Sequence, residues 1–199
     1  MEAIETFKVD DKNVEIHYDE DPQNPRTEND NCDMFILFHK RYSLGDKHNY
    51  KSEDYSGWDE MEAAIIKEHN PVVIRRIFMI DHSGISIADH SFNDQWDSGM
   101  IGFALISRES ALKEMNAKKV TKKVKDWAEK YLTATISTYR SYLENEAYGY
   151  IIKDKDDNEL DSCWGFIGDI DYVKEEATST AKSIKVPEPI NPNQLEFAI

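Results

Sequence analysis

Between residues 121 and 146 the apolar side chains Val124, Trp127, Ala128, Tyr131, Leu132, Ile136, Tyr139 and Leu143 recur on a 3.6-residue period. One face of a long helix is therefore apolar, and such a stripe has to be covered by another element. The candidates to cover it are short runs of alternating or β-branched residues. Residues 5–9 and 12–18 alternate around Asp10-Asp11 and read as a hairpin. Residues 34–39 read as a buried strand, and residues 72–80 and 85–88 as a second hairpin turned by Asp81-His82-Ser83-Gly84, where Gly84 can take positive φ. Residues 100–107 read as a further strand. Residues 148–153 and 160–166 make a last hairpin across a polar turn.

Three more helices are expected. One starts at Trp58 with Asp59, Glu60 and Glu62 in its first turn and ends at Asn70-Pro71. A short one follows Ser107, and a weaker one covers residues 170–184. This order of elements predicts an α+β fold, with an antiparallel or mixed sheet and helices packed on one face. With 199 residues, one acidic domain over 1–184 is expected, followed by an extended tail over 185–199 that is broken by Pro187, Pro189 and Pro192.

The longest apolar run, residues 72–80, is interrupted by Arg75 and Arg76 and is too short to span a bilayer. No membrane association is expected, and the acidic N-terminus lacks the order of a secretory signal. Both features suit the cytoplasm. Cys32 and Cys163 match neither a redox pair nor a zinc knuckle, so they are expected as reduced thiols, Cys163 buried on its strand. No cofactor is expected.

Charge is distributed in blocks within a net −15. Residues 1–33 hold 11 acids and 3 bases, and residues 141–176 hold the same numbers, −8 in each block. Residues 107–140 reverse the sign, with 4 acids and 9 bases. Lys118, Lys119, Lys122, Lys123 and Lys125 crowd the start of the long helix, where cations oppose the dipole. A surface of this sign repels a phosphate backbone, so direct nucleic-acid binding is disfavoured, whereas basic clefts are attracted to it.

The densest set of potential ligands is His39, Asp46, His48, Asp81 and His82. Histidine and carboxylate can bind a divalent metal, although this spacing matches no standard short motif. The alternative roles are a strand end at His39 and side-chain bonds to turn amides from the aspartates. Residues 41–57 form a long loop with Tyr42, Tyr50 and Tyr55 among charges, a composition common at binding surfaces. It is expected to be ordered and to lie beside the turn at Asp81. Trp96-Asp97-Ser98-Gly99 and Asp161-Ser162-Cys163-Trp164-Gly165 share an order that suits equivalent edges of neighbouring strands. No phosphate loop or nucleophile elbow occurs.

Phe38-His39-Lys40-Arg41-Tyr42, Leu44-Gly45-Asp46-Lys47-His48, Trp58-Asp59-Glu60-Met61, Asp81-His82-Ser83-Gly84, Trp96-Asp97-Ser98-Gly99 and the Asp161-Ser162-Cys163-Trp164-Gly165-Phe166 string resemble a family of unassigned activity encoded by bacteriophages and mobile elements. The resemblance spans about residues 12–176 and carries over no catalytic or binding residue. It implies a setting in which small acidic proteins neutralise host defences.

Charge and resemblance together suggest a phage-type inhibitor of a restriction or CRISPR nuclease. Such a protein is a non-enzymatic DNA mimic that occupies the basic cleft of a host defence protein. Its expected contacts are Asp19, Glu20, Asp21 and Glu28 in the first block and Asp154, Asp156, Asp157 and Glu159 in the second, with Tyr42 and His48 from the loop. The alternative is a small metal-dependent hydrolase of nucleotides or nucleic acid, using His39, Asp46, His48, Asp81 and His82.

Overall fold

The computed structural model describes residues 2–94 and 96–185. Most of the expected tail, residues 186–199, lies outside the described residues. In chain order the strands are β1 (Glu5–Val9), β2 (Lys12–Tyr18), β3 (Met34–Leu37), β4 (Pro71–Asp81), β5 (Ile85–Ala88), β6 (Ser98–Ser107), β7 (Ala147–Lys153) and β8 (Glu159–Ile167). The helices are α1 (Trp58–His69), α2 (Arg108–Glu114), α3 (Lys122–Leu143) and α4 (Ile170–Ser183). The protein is α+β, with two antiparallel four-stranded sheets among the described residues.

Two compact units emerge where the sequence suggested one domain: Met1–Asp19 together with Tyr148–Ile199, and Glu20–Ala147. The division follows from strand pairing. β2 pairs antiparallel with β7 from Asn13↔Lys153 to Tyr18↔Tyr148, so both ends of the chain build one sheet and the middle of the chain is an insertion at that pair.

The smaller unit has strand order β1-β2-β7-β8. Alternation places Val14, Ile16, Tyr150 and Ile152 in one cluster with Val173, Ala177 and Ala181 of α4. The two alanines, both fully buried, let α4 approach the sheet closely. Asp169 caps α4 by accepting from the Asp171 N–H at 2.9 Å. On β8, the Trp164 ring lies so close over Gly149 that a Cβ there would stand 2.2 Å from the ring.

The larger unit has strand order β3-β6-β4-β5. β6 is buried from Ile101 to Ile106, and its two faces serve two clusters. Ile101, Ala104 and Ile106 join Phe35, Ile77, Ile87 and the α3 stripe of Val124, Ala128, Leu132, Ile136 and Tyr139. Phe103 and Leu105 join Ile36 with Met61 and Ile65 of α1. Helices thus cover this sheet on both faces, because every residue of β6 from Ile101 to Ile106 except Gly102 is an apolar residue that must leave water. Each large side chain so buried contributes about 1.5–3 kcal/mol.

The alternation of β6 survives one interruption. Ile77 pairs with Gly102 and Phe78 with Met100, so one residue of β6 is extra at this point and the strand carries a bulge. Gly102 has φ +151, and a Cβ there would stand 2.0 Å from the Ile36 carbonyl oxygen. At this bulge the edge strand β3 ends, and the Phe38 N–H donates to the Ile101 carbonyl at 2.7 Å.

Candidate functional site

Beyond β3 the chain doubles back along the strand's free edge. The Asp46 N–H donates to the Phe35 carbonyl (2.9 Å), and the Phe35 N–H donates to the Asp46 carboxylate (2.7 Å). Gly45, at φ +69, donates its N–H to the Tyr139 hydroxyl (3.0 Å). His48 Nε2 meets the Leu37 carbonyl at 3.1 Å. Further on, the Tyr50 hydroxyl donates to Glu68 at 2.6 Å and lies 2.9 Å from His69 Nε2, which ties the loop to α1. The expected loop over residues 41–57 is therefore held along its length, and its first residues contact the turn at Asp81 as anticipated. Arg41 pairs with Asp81, and the Tyr42 hydroxyl reaches it at 3.5 Å.

Beneath the loop lies a buried charge network. The Arg26 side chain, 2% exposed, donates to Asp33 (3.0 Å) and makes two bonds to Asp46 (2.6 and 3.1 Å), with its guanidinium 4.2 Å over the Phe35 ring. Asp33 also accepts from the Thr135 hydroxyl of α3 at 2.6 Å. Burial alone would lower the Arg26 pKa, but the hydrogen bond to Asp46 and the charges of Asp33 and Asp46 outweigh it, so the pKa is raised. Residues 19–33, although acidic and rich in Asn and Pro, are not exposed throughout: Pro25, Arg26 and Asp33 are buried. The only basic residue in that acidic stretch was the available signal.

These elements enclose an open cleft of about 1280 Å³ in the larger unit. Its wall carries Arg26, Lys40, Arg41 and Lys47 against a single carboxylate, Asp46. Phe38, His39, Tyr42, His48 and Trp58 contribute rings. His39 and Tyr42 stack at 4.9 Å and 12°, and His48 packs 4.8 Å from Phe38. His48 Nδ1 is buried without a hydrogen-bond partner. An unmet polar group of this kind costs about 1–3 kcal/mol.

The expected metal set does not converge. Asp46 is engaged by Arg26 and the Phe35 amide, His48 by Leu37, and Asp81 by Arg41. His39 Nδ1 accepts from the Arg41 and Tyr42 amides, both at 3.3 Å. His82 binds Asp97 at 2.9 Å, and this hydrogen bond together with the Asp97 charge raises the His82 pKa. Among the described residues no group of three or more His, Cys, Asp or Glu side chains is placed to hold a metal ion. The carboxylates instead satisfy nearby donors, as the composition of the turns allowed.

The acidic contacts divide between the units. Asp19 belongs to the smaller unit and accepts from the Gly165 N–H at 3.1 Å. Glu20, Asp21 and Glu28 are exposed in the larger unit. Asp154 organises its own turn, accepting from the Asp156 and Asn158 amides and the Asn158 side chain, and these bonds lower its pKa, the Asn158 side chain most. Asp156, Asp157 and Glu159 face solvent. The lysines 118, 119, 122, 123 and 125 are exposed and form no ion pair among the described residues.

Two strand readings are corrected. Cys163 is exposed, because β8 is at the sheet edge and only part of its length is covered. The two Asp-Ser strings lie on β6 and β8, in different sheets, so they are not neighbouring edges. No helix among the described residues is long and apolar enough to cross a membrane. Comparison with family models, curated proteins and solved structures finds no match to this chain.

Proposed function

We propose that this protein is a non-enzymatic, phage-type inhibitor of a bacterial defence nuclease, whose acidic smaller unit occupies the basic nucleic-acid channel of a restriction or CRISPR enzyme. One observation carries the reading. The stretches Met1–Asp19 and Tyr148–Ile199 hold 17 acids against 7 bases, a net charge of −10, while the larger unit holds 22 against 17, a net of −5. Two thirds of the net charge therefore rides on the smaller part of the chain, and its turn presents Asp156, Asp157 and Glu159 to solvent. A compact acidic body competes with a phosphate backbone for the same cations and is steered to them at low salt. The phage-borne setting implied by the sequence resemblance belongs to this reading.

The test is binding of the intact protein to purified defence nucleases across a salt series. Affinity should fall steeply from 50 to 300 mM salt, over the range in which the screening length drops below about 10 Å. Replacing Asp156, Asp157 and Glu159 together by Asn, Asn and Gln should weaken binding about tenfold or more, with little change in melting temperature. Binding that ignores both salt and the triple replacement would reject the electrostatic mimic.

A further inference from the structure

The cleft under the residue 38–48 loop has the opposite sign to the net charge of the chain. In a chain of net charge −15, its wall holds four cationic side chains and one carboxylate, and that carboxylate is already bonded to Arg26. Arg26 is spent on the network beneath. Lys40 and Lys47 are exposed and form no ion pair among the described residues, and the Arg41 side chain stays 69% exposed despite its contact with Asp81. Two unpaired cationic groups, Lys40 and Lys47, thus line a concave site, beside the Asp81-paired Arg41. A concave site concentrates its field more than a flat surface does.

The rings give the site a second property. His39 and Tyr42 stack nearly parallel, and the Arg41 guanidinium lies 5.4 Å over the Tyr42 ring, so a planar ligand would extend the stack on its His39 side. Because His39 Nδ1 accepts two backbone N–H groups, the imidazole carries its proton on Nε2, at the ring edge, where it can donate to a ligand oxygen. Beside the cleft a smaller hollow shares His39 and Arg41 with it and adds Trp96, whose surface is 91% exposed.

Cations and flat rings in one cavity suit a ligand that joins an anionic group to a planar one. We infer that this cleft binds a small nucleoside phosphate, with Lys40 and Lys47 holding the phosphate and the His39–Tyr42 stack holding the base. The size of the cleft admits such a ligand. A nucleic-acid strand fits less well, since it would have to extend beyond the cleft over a unit of net charge −5. The inference is independent of the acidic unit and of any nuclease partner.

Titration calorimetry on the intact protein at low salt tests it, with the four ribonucleoside 5′-diphosphates, inorganic phosphate and a 12-residue oligodeoxythymidylate as probes. At least one diphosphate should bind with a dissociation constant below about 1 mM, more tightly than inorganic phosphate or the oligonucleotide. The Lys40→Gln/Lys47→Gln double variant should lose about tenfold in affinity, and Tyr42→Ala should lose a similar amount. Melting temperature and circular dichroism check that each variant is folded. The lysines are exposed, so the double variant keeps the test sound even if Tyr42→Ala unfolds. No binding of any diphosphate overturns the inference. So does phosphate binding as tight as the diphosphates, tighter binding of the oligonucleotide, or full affinity in the lysine double variant.

Discussion

Arg26 shows how much of this molecule turns on a single side chain. It is the one base among the acids of residues 19–33, and it lies buried between two carboxylates, with Asp33 fully enclosed and Asp46 holding the returning loop to β3. The ion pair makes a small net contribution, because the cost of desolvating both charges offsets their attraction. Removing one partner is different, since it strands the other charge in the interior. Arg26→Ala should therefore cost about 3–5 kcal/mol in urea unfolding. Asp33→Asn keeps one oxygen to accept from Arg26 and turns its amide N–H2 toward the Thr135 hydroxyl, which can rotate to accept, so it should cost clearly less. An Arg26→Ala variant as stable as the parent would mean that water already reaches the network. From the sequence Asp46 was a candidate metal ligand; in the structure its carboxylate accepts from an arginine 20 positions upstream and from the Phe35 amide.

At the scale of elements, β6 decides the architecture of the larger unit. Its run of apolar residues has no polar face to offer water, so the sheet takes α3 on one side and α1 on the other. The bulge at Gly102 keeps the residues before and after it on their proper faces, and it lies against the Ile36 carbonyl of β3. Gly102→Ala would meet that oxygen and strain a backbone conformation reserved for glycine. It should cost at least about 1–3 kcal/mol from the backbone alone. Gly99→Ala on the same strand is the control, because a Cβ there meets nothing within 4 Å. Equal unfolding midpoints for the two variants would show that β6 accommodates the methyl by shifting. The helix periods and the turn residues placed α1, α3 and the β4–β5 hairpin from the sequence, since those signals are local. The bulge was not legible, because the glycine shows its purpose only beside its neighbouring strand.

The whole molecule is a small sheet interrupted by a larger unit. Tyr18 faces Tyr148 across the β2–β7 pair, so the insertion leaves and re-enters at adjacent positions. A chain in which Asp19 is followed by one added glycine and then by Tyr148 would close this pair with an Asp-Gly turn, a favoured two-residue hairpin connection. All the buried residues of its core cluster, from Val9 to Ala181, remain present. This shortened chain is expected to fold cooperatively, with modest stability at its size. Added salt should raise its melting temperature, because the net −10 repels itself. Circular dichroism and amide dispersion in NMR spectra check the outcome, and an unfolded spectrum at high salt would show that the small sheet needs the inserted unit.

The sequence by itself determined what depends on near neighbours: the 3.6-residue stripe of α3, the alternation of β1 and β2, the Asp81–Gly84 turn, the α+β class and the uneven charge. Such features are written within a few residues of one another, and their physics is equally local. Only the tertiary structure decided that β2 pairs with β7, that one expected domain divides into two units, and that Arg26 joins Asp33 and Asp46 beneath a basic cleft. Strand partners and buried ion pairs are chosen by the burial and hydrogen-bond satisfaction of residues far apart in the chain, which no local period records.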